Sequence, residues 1–513
     1  MSSSEEFDHV VVGAGTAGCV MAARLSQDPG VSVCLVEAGG REQPEAVDVP
    51  PAWPTLQRTE ADWADVTVPQ AAGDGRQVSW PRGRGLGGSS SINAMNFLRG
   101  HRSVFDTWAT TDAPGWGYDD LLPYFMRSEN VSGVPGRDPA VRGTSGPLRV
   151  RPALGRHPVA EAFLRSAVAS GYPEAEDLTA GLEEGFGWGD LSIAEGIRQD
   201  AVRGYLRPAT NRPNLHVVTD AVVHKVVVDS NGRCTGVRYT RGDDPFAVRA
   251  TREVLLCAGA VGSPQILLLS GIGPSKHLRE FDIPVVTDLP GVGANLQDHP
   301  LSSIVYESRR PVPPGVNNHG EVQGFIRSDP HLVGPDVQLQ LVDVPLSADG
   351  LPGPAIGEGY TIIFASMTPR SRGTLRLSGT EPGTAPLIDP CYYVDERDLD
   401  VMVGAFRIAR ELGDAEPMGE WRATEALPGP AVVDESDVRA YLRSNLRSYS
   451  HYVGSCRIGG DGDAVVGTDL RVHGVEGLRV ADASVMPSTP SANTNAAVYA
   501  IAERAAELVA GQD

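Results

Sequence analysis

The feature that most constrains this chain is a glycine turn set between a β-branched run and an apolar helical stretch. His9 to Val12 reads as a strand, Gly13-Ala14-Gly15-Thr16-Ala17-Gly18 as a tight turn and Cys19 to Leu25 as a helix. Val31 to Val36 then forms a second strand that ends at Glu37. Strand, turn, helix and strand in that order, closed by an acid, make a dinucleotide-type unit of a parallel sheet. Gly13 and Gly15 let the backbone turn sharply and approach a pyrophosphate, and Gly18 lets the helix pack close to the strand. The helix start offers free N–H groups to negative oxygens, and Glu37 is placed to accept from a ribose diol.

Length and charge narrow the rest. At 513 residues the chain can hold two or three structural units. With 59 glycines and 40 prolines it is rich in loops without reaching the composition of a disordered protein. A net charge of −21, with Lys225 and Lys276 the only lysines, argues against general affinity for nucleic acid or an anionic membrane surface. No run approaches the ~18 apolar residues of a membrane span, and the acidic start MSSSEEFDHVVVGAG lacks the features of a secretory signal. A soluble cytoplasmic protein is expected. Its six cysteines are scattered with no C-x-x-C pair, so no zinc or dithiol site is expected and most should be core packing.

A second glycine-rich stretch runs from Arg82 to Gly100, RGRGLGGSSSINAMNFLRG. Such residues suit neither helix interior nor strand, but they let a chain pass close to a large planar or phosphorylated ligand. Residues 41–82 read as irregular structure covering that ligand. Further strands are expected within Leu215 to Val228, at Glu253 to Ala258, Val337 to Val342, Tyr360 to Ser366, Thr374 to Leu377 and Leu478 to Asp482. Helices are expected at Ile266 to Leu269, Leu399 to Leu412 and Asn495 to Ala510. Residues 301–447 carry no glycine fingerprint and read as a second, substrate-facing domain.

These motifs, taken with GAVGSPQILLLSGIG at 259–273, PGVGANLQDH at 290–299, HYVGSCRIG at 451–459 and ADASVMP at 481–487 followed by Asn493-Thr494-Asn495, closely resemble those of the glucose-methanol-choline (GMC) oxidoreductases. The resemblance spans about Asp8 to Val509 and implies an FAD-dependent enzyme. It implies an α/β fold whose Rossmann-like FAD-binding domain is assembled from discontinuous segments 1–155, 195–300 and 448–513. A second, α+β domain with an antiparallel sheet takes 156–194 and 301–447. Gly13, Gly15, Thr16, Ala17 and Gly18 would hold the FAD pyrophosphate, Glu37 and Ala38 the adenosine ribose, and the Val223 backbone would face adenine. Arg84, Gly87, Gly88 and Ser89 belong to the stretch that closes over the cofactor, and Asn93, Ala94, Met95 and Asn96 would line the isoalloxazine. Ala258 and Gly259, with Asp482 and Ala483, Thr494 and Asn495, complete the expected cofactor contacts.

His451 matches the family's active-site histidine, and Asn493 matches a second position that holds His or Asn. Oxidising an alcohol removes a hydroxyl proton and a hydride, so a base must stand beside the hydroxyl while FAD takes the hydride. Histidine, with an ordinary pKa near ~6.5, suits that task, and Asn493 can orient the hydroxyl by hydrogen bonding. The reduced cofactor would pass its electrons to oxygen or another acceptor. His101 and His473 carry no such expectation, and His299 reads as structural packing near the cofactor. Where some relatives link FAD covalently through a histidine this chain has Ile92, which implies non-covalent FAD. Within the family the chain resembles the hydroxymethylfurfural/aryl-alcohol oxidase and choline dehydrogenase-like branch; its Cys456-Arg-Ile-Gly459 ending is similar to the former, although Ser450 stands where an aromatic residue precedes the base there. The same fold also serves hydroxynitrile lyases and fatty-acid photodecarboxylases, which keep FAD for other chemistry. A plain NAD-binding module is disfavoured because it leaves residues 83–100 and 478–495 without a purpose.

Overall fold

The computed structural model describes residues 5–182, 184–348 and 350–511, so the outermost ends of the expected 1–155 and 448–513 segments lie outside the described residues. Two seven-stranded sheets organise the chain. In the first, Glu5–Val12 lies between Val33–Val36 and Asp244–Leu256, parallel to both, and Leu215–Val218 continues the parallel set beyond Val33–Val36. The last half-turn of sequence returns to it, with Leu478–Val480 pairing parallel to Val254–Leu256. Strands buried on both faces must be apolar throughout, and VCLV at 33–36 is buried at every position.

The first helix, Thr16–Leu25, is buried along nearly its whole length because the closing helix Asn495–Ala510 covers its outer side. Arg24 forms a two-pronged ion pair with the fully buried Glu503, whose carboxylate also accepts from the Tyr205 hydroxyl at 2.7 Å. The chain's two ends are thereby clamped together beside the glycine turn.

The second sheet is antiparallel, ordered Arg422–Leu427, Pro300–Ser308, Gly359–Ser366, Val337–Val342, Val322–Ile326 and Gly185–Trp188, with Arg447–Ser448 paired to Pro300 and Leu301. Helix Glu396–Asp414 packs across it. The α/β class with a parallel-type sheet and a separate antiparallel sheet is thus as expected. Among the described residues no helix is long and apolar enough to cross a membrane.

Local boundaries differ where tertiary contacts override residue preference. The helix expected from Ile266 starts at Gly259, because Ser263 and Asp482 tie down its first turn, and the Ala260 carbonyl that Pro264 cannot bond accepts from the Ser455 hydroxyl at 2.6 Å. A hairpin of Cys234–Arg241 and Asp244–Leu256 extends the strand expected at Glu253 and was not foreseen. The hydroxyl-rich Ser89–Ile92 forms one helical turn behind Gly88.

A buried charge network stiffens the segment that follows this turn. Arg142 is shared by Glu129, Asp177 and Asp190, while Arg99 also reaches Glu129 and Arg137 also reaches Asp190. The Asp190 carbonyl accepts from the Phe97 N–H and the Met95 carbonyl from the Ser192 N–H, each at 2.8 Å. Arg142→Met leaves three carboxylates short of a shared cation, and removing one partner of such a buried set costs roughly 3–5 kcal/mol. Urea unfolding should show that loss as a lowered midpoint. An unchanged midpoint would contradict the structural role of the network.

Candidate active site

One cavity of about 440 Å³ passes between the sheets. At one end it is lined by Gly13, Gly15, Thr16, Ala17, Glu37, Ala38 and Val223, and at the other by His451 and Asn493. Gly88, Ser89, Asn93, Ala94, Met95, Asn96, Ala258, Gly259, Asp482, Ala483, Thr494 and Asn495 line it between. Gly18, Arg84 and Gly87 are the expected cofactor residues that do not face it. A Cβ on Gly18 would lie 1.8 Å from the Gly13 carbonyl oxygen, so Gly18 serves the packing of helix on turn. Gly87 donates its N–H to Ala14 O at 2.7 Å and holds the two glycine turns together. The Arg84 guanidinium stands 5.3 Å from the Trp63 ring centre.

The glycine end fits a dinucleotide. Helix Thr16–Leu25 starts at Gly15 with no side-chain cap and no acid in its first turn, so its leading N–H groups are available to an anion. Gly88, with φ near +50°, comes so close that a Cβ there would lie 2.7 Å from the Gly15 Cα. Glu37 is buried and accepts from the N–H groups of Ala14, Gly39 and Gly85 at 2.7–3.0 Å. Burial raises its pKa against the pull of those bonds. A carboxylate has about four acceptor sites, so Glu37 retains room for one ribose hydroxyl. The Asp482 carboxylate is saturated by Gly259 N–H, Ser263 Oγ–H and both Ser484 donors. Any contact from residue 482 to a cofactor therefore falls to its backbone.

Asn93 to Asn96 are held from two sides. Arg198, buried below, donates to the Asn93 carbonyl at 2.7 Å and to its side-chain oxygen at 2.9 Å. Asn318, reaching from the other side, donates to the Ala94 carbonyl and to Asn96 Oδ1 at 2.7 and 2.8 Å. Met95 adopts φ near +57° between these tethers. Ile92 lines the cavity and offers no nucleophilic atom there.

At the far end His451 and Asn493, 42 residues apart in the chain, meet: Asn493 Nδ2 donates to His451 Nε2 at 3.1 Å. The orientation of the Asn493 amide follows from Gln338, whose Nε2 donates to Asn493 Oδ1 at 3.3 Å and to Gln323 Oε1 at 2.5 Å. Because Nε2 of His451 accepts, its proton is on Nδ1, which donates to Nδ1 of His299 at 2.8 Å. His299 is therefore the Nε2-protonated tautomer. Asp298, its neighbour, accepts from the His451 backbone N–H at 2.7 Å, from Ser448 at 2.6 Å and from the Tyr392 hydroxyl.

The electrostatics keep this pair neutral. Burial, then repulsion from His299, holds the His451 pKa well below the ordinary histidine value. Burial lowers His299 to about 3 and raises Asp298 to about 6. An uncharged imidazole with its Nε2 lone pair toward the cavity can accept a proton at neutral pH.

Sequence reasoning placed His299 as packing, whereas it is the hydrogen-bond partner of His451. Its polar neighbours Gln297 and Asp298 in an otherwise apolar run were the available signal. Gln338 gave none. Tyr449, next to Ser450, sets its ring centre 4.4 Å from that of His451, and Ser450, at φ near +62°, lines the cavity beside it. His101 caps the helix Arg102–Thr111, and the His473 ring contacts the Gly459 carbonyl. Neither lines the cavity. Among the described residues no cluster could hold a metal ion.

The GMC oxidoreductase family model matches residues 7–301 and 369–502. The chain is 38% identical to oxygen-dependent choline dehydrogenase 1 of Chromohalobacter salexigens over 551 aligned residues, covering 100% of this chain and 96% of that protein. It is 37% identical to human mitochondrial choline dehydrogenase, covering 99% and 91%. The crystal structure of pyridoxine 4-oxidase from Mesorbium loti superposes with a TM-score of 0.93 at 34% identity, covering 98% of each chain. The chain belongs to the GMC oxidoreductases, the family of FAD-dependent enzymes acting on CH–OH donors that its sequence motifs resemble.

Proposed function

We propose that this protein oxidises an alcohol to an aldehyde or ketone with His451 as general base and Asn493 as the group that fixes the hydroxyl. The observation that carries the reading is the Asn493–His451–His299 chain, which leaves a neutral Nε2 acceptor facing the cavity. A substrate hydroxyl entering there donates to His451 Nε2 and accepts from Asn493 Nδ2, replacing the bond those residues make with each other. FAD, when bound, supplies the hydride acceptor for the two electrons of the adjacent C–H bond. As the hydroxyl proton moves to Nε2, His451 becomes an imidazolium whose Nδ1–H remains bonded to His299. The Asp298 bond to the His451 backbone keeps the ring in place throughout.

The cofactor reading rests on the glycine cradle, the uncapped helix start and the spare acceptor of Glu37. Non-covalent attachment is supported by Ile92 at the wall. We assign segments 1–155, 195–300 and 448–513 to the cofactor and 156–194 with 301–447 to the substrate; the membership of the two seven-stranded sheets supports that division to within a residue at Pro300 and Ser448. Oxygen or another electron acceptor would reoxidise the flavin. A cytoplasmic setting is consistent with six unpaired cysteines, five of them buried.

Three measurements test this. His451→Ala should keep its yellow cofactor yet reduce it with alcohol, under anaerobic conditions, about 10²–10⁴-fold more slowly. Reduction at the unaltered rate rules out the base assignment. The acid limb of the reduction rate should lie below pH 6.5, since the base must be deprotonated and its pKa is depressed. A limb above that value contradicts the neutral-pair description. His299→Leu leaves the Nδ1–H of His451 buried without an acceptor, a loss worth roughly tenfold to a hundredfold in rate. His299→Gln, which offers an acceptor oxygen, should recover much of it. Equal rates in both variants would show that His299 only fills space.

A further inference from the structure

We infer that the alcohol accepted at this site is uncharged, with its hydroxyl carried on an apolar body, and that a quaternary ammonium alcohol is discriminated against. The inference rests on the proposed oxidation and specifies its substrate class. Next to His451 the antiparallel sheet presents one face toward the cavity. Leu301, Val342 and Ile363 form a small apolar cluster of their own, apart from the main core, with Leu346 and Tyr449 packed on it. All five line the cavity. The strand register puts them on one face: Leu301 opposes Ala365, and Ile363 opposes Gln340. That face also carries Gln338, which orients Asn493.

Gln340, the side-chain amide of this face that lines the cavity, is satisfied within the protein, while the Oε1 of Gln338 is buried without a partner. Gln340 donates to the Gly320 carbonyl at 2.7 Å and accepts from the Tyr449 hydroxyl at 3.1 Å. The three carboxylates that line the cavity are all engaged. Glu37 and Asp482 accept from the backbone of the glycine turns and from serine hydroxyls, and Asp65 is paired with Arg82. Of the aromatic rings in the lining, Trp63 carries the Arg82 guanidinium 4.4 Å from its ring centre, Tyr452 is stacked on Trp80 and Tyr449 lies against the His451 ring. A trimethylammonium group placed beside His451 would therefore lose its hydration without gaining a counter-ion, whereas a tert-butyl group of the same shape would gain from burial.

The test compares choline with its carbon isostere 3,3-dimethylbutan-1-ol, on the holoenzyme under anaerobic conditions, reading flavin bleaching. The isostere should half-saturate reduction at a concentration at least tenfold lower. Choline saturating at an equal or lower concentration overturns the inference while leaving alcohol oxidation intact. If neither compound bleaches the flavin, it is the oxidation reading that fails for these alcohols, and binding decides the inference. Quenching of tryptophan fluorescence, reported by Trp53 and Trp63 in the wall, should then still favour the isostere; equal or tighter choline binding overturns it. Leu346→Glu, a half-buried position on the wall, places a carboxylate in the chamber. The isostere-to-choline preference should fall at least tenfold in that variant, and an unchanged preference shows that missing counter-charge is not the cause.

Discussion

The Glu37 carboxylate is the interaction on which the site depends. It draws together the backbone of Ala14, Gly39 and Gly85, three segments separated by up to 71 positions in the chain, at a point where burial opposes its charge. Only glycine allows the turns to meet there. A Cβ on Gly39 would lie 2.3 Å from the Gly85 backbone nitrogen, just as one on Gly88 would press into Gly15. With the turns fixed, the uncapped start of helix Thr16–Leu25 and the Asn93–Asn96 segment lie along one cavity. The closing helix Asn495–Ala510, clamped through Arg24 and Glu503, brings Asn493 to its far end.

The chemistry at that end is built around the antiparallel sheet. His299 stands at the threshold of the strand Pro300–Ser308, Gln338 on Val337–Val342, and His451 just after the short pairing at Arg447–Ser448. Each supplies one bond in a chain that fixes a tautomer: Gln338 orients Asn493, Asn493 marks Nε2 as the acceptor, and His299 receives the opposite proton. None of these residues alone tunes the base. Burial depresses its pKa, and the adjacent His299, which would repel a second positive charge, deepens that effect.

How much of this was legible follows from range. The glycine turn, Glu37 and the strands and helix around them are read from short spacing, since their physics is local, and the parallel sheet follows. His451 and Asn493 were located through motif resemblance, and their contact is a matter of tertiary folding that no local pattern displays. The bond of His299 to His451 is invisible in sequence because a histidine bonded to another histidine 152 positions away looks like any buried histidine. The Tyr449 ring beside His451 has no local signal, since its placement depends on the left-handed backbone at Ser450. The apolar wall of Leu301, Val342 and Ile363 comes from three strands and has no signature in any one of them.

The central claim is that proton and hydride leave one alcohol between His451 and the flavin. Its most direct test is the rate of anaerobic flavin bleaching by 3,3-dimethylbutan-1-ol against the same alcohol carrying two deuterium atoms on the hydroxyl-bearing carbon. The account predicts severalfold slower bleaching with the deuterated alcohol, extrapolated to saturation, because breaking that carbon–hydrogen bond is the reductive step. Bleaching by both at one rate would contradict it.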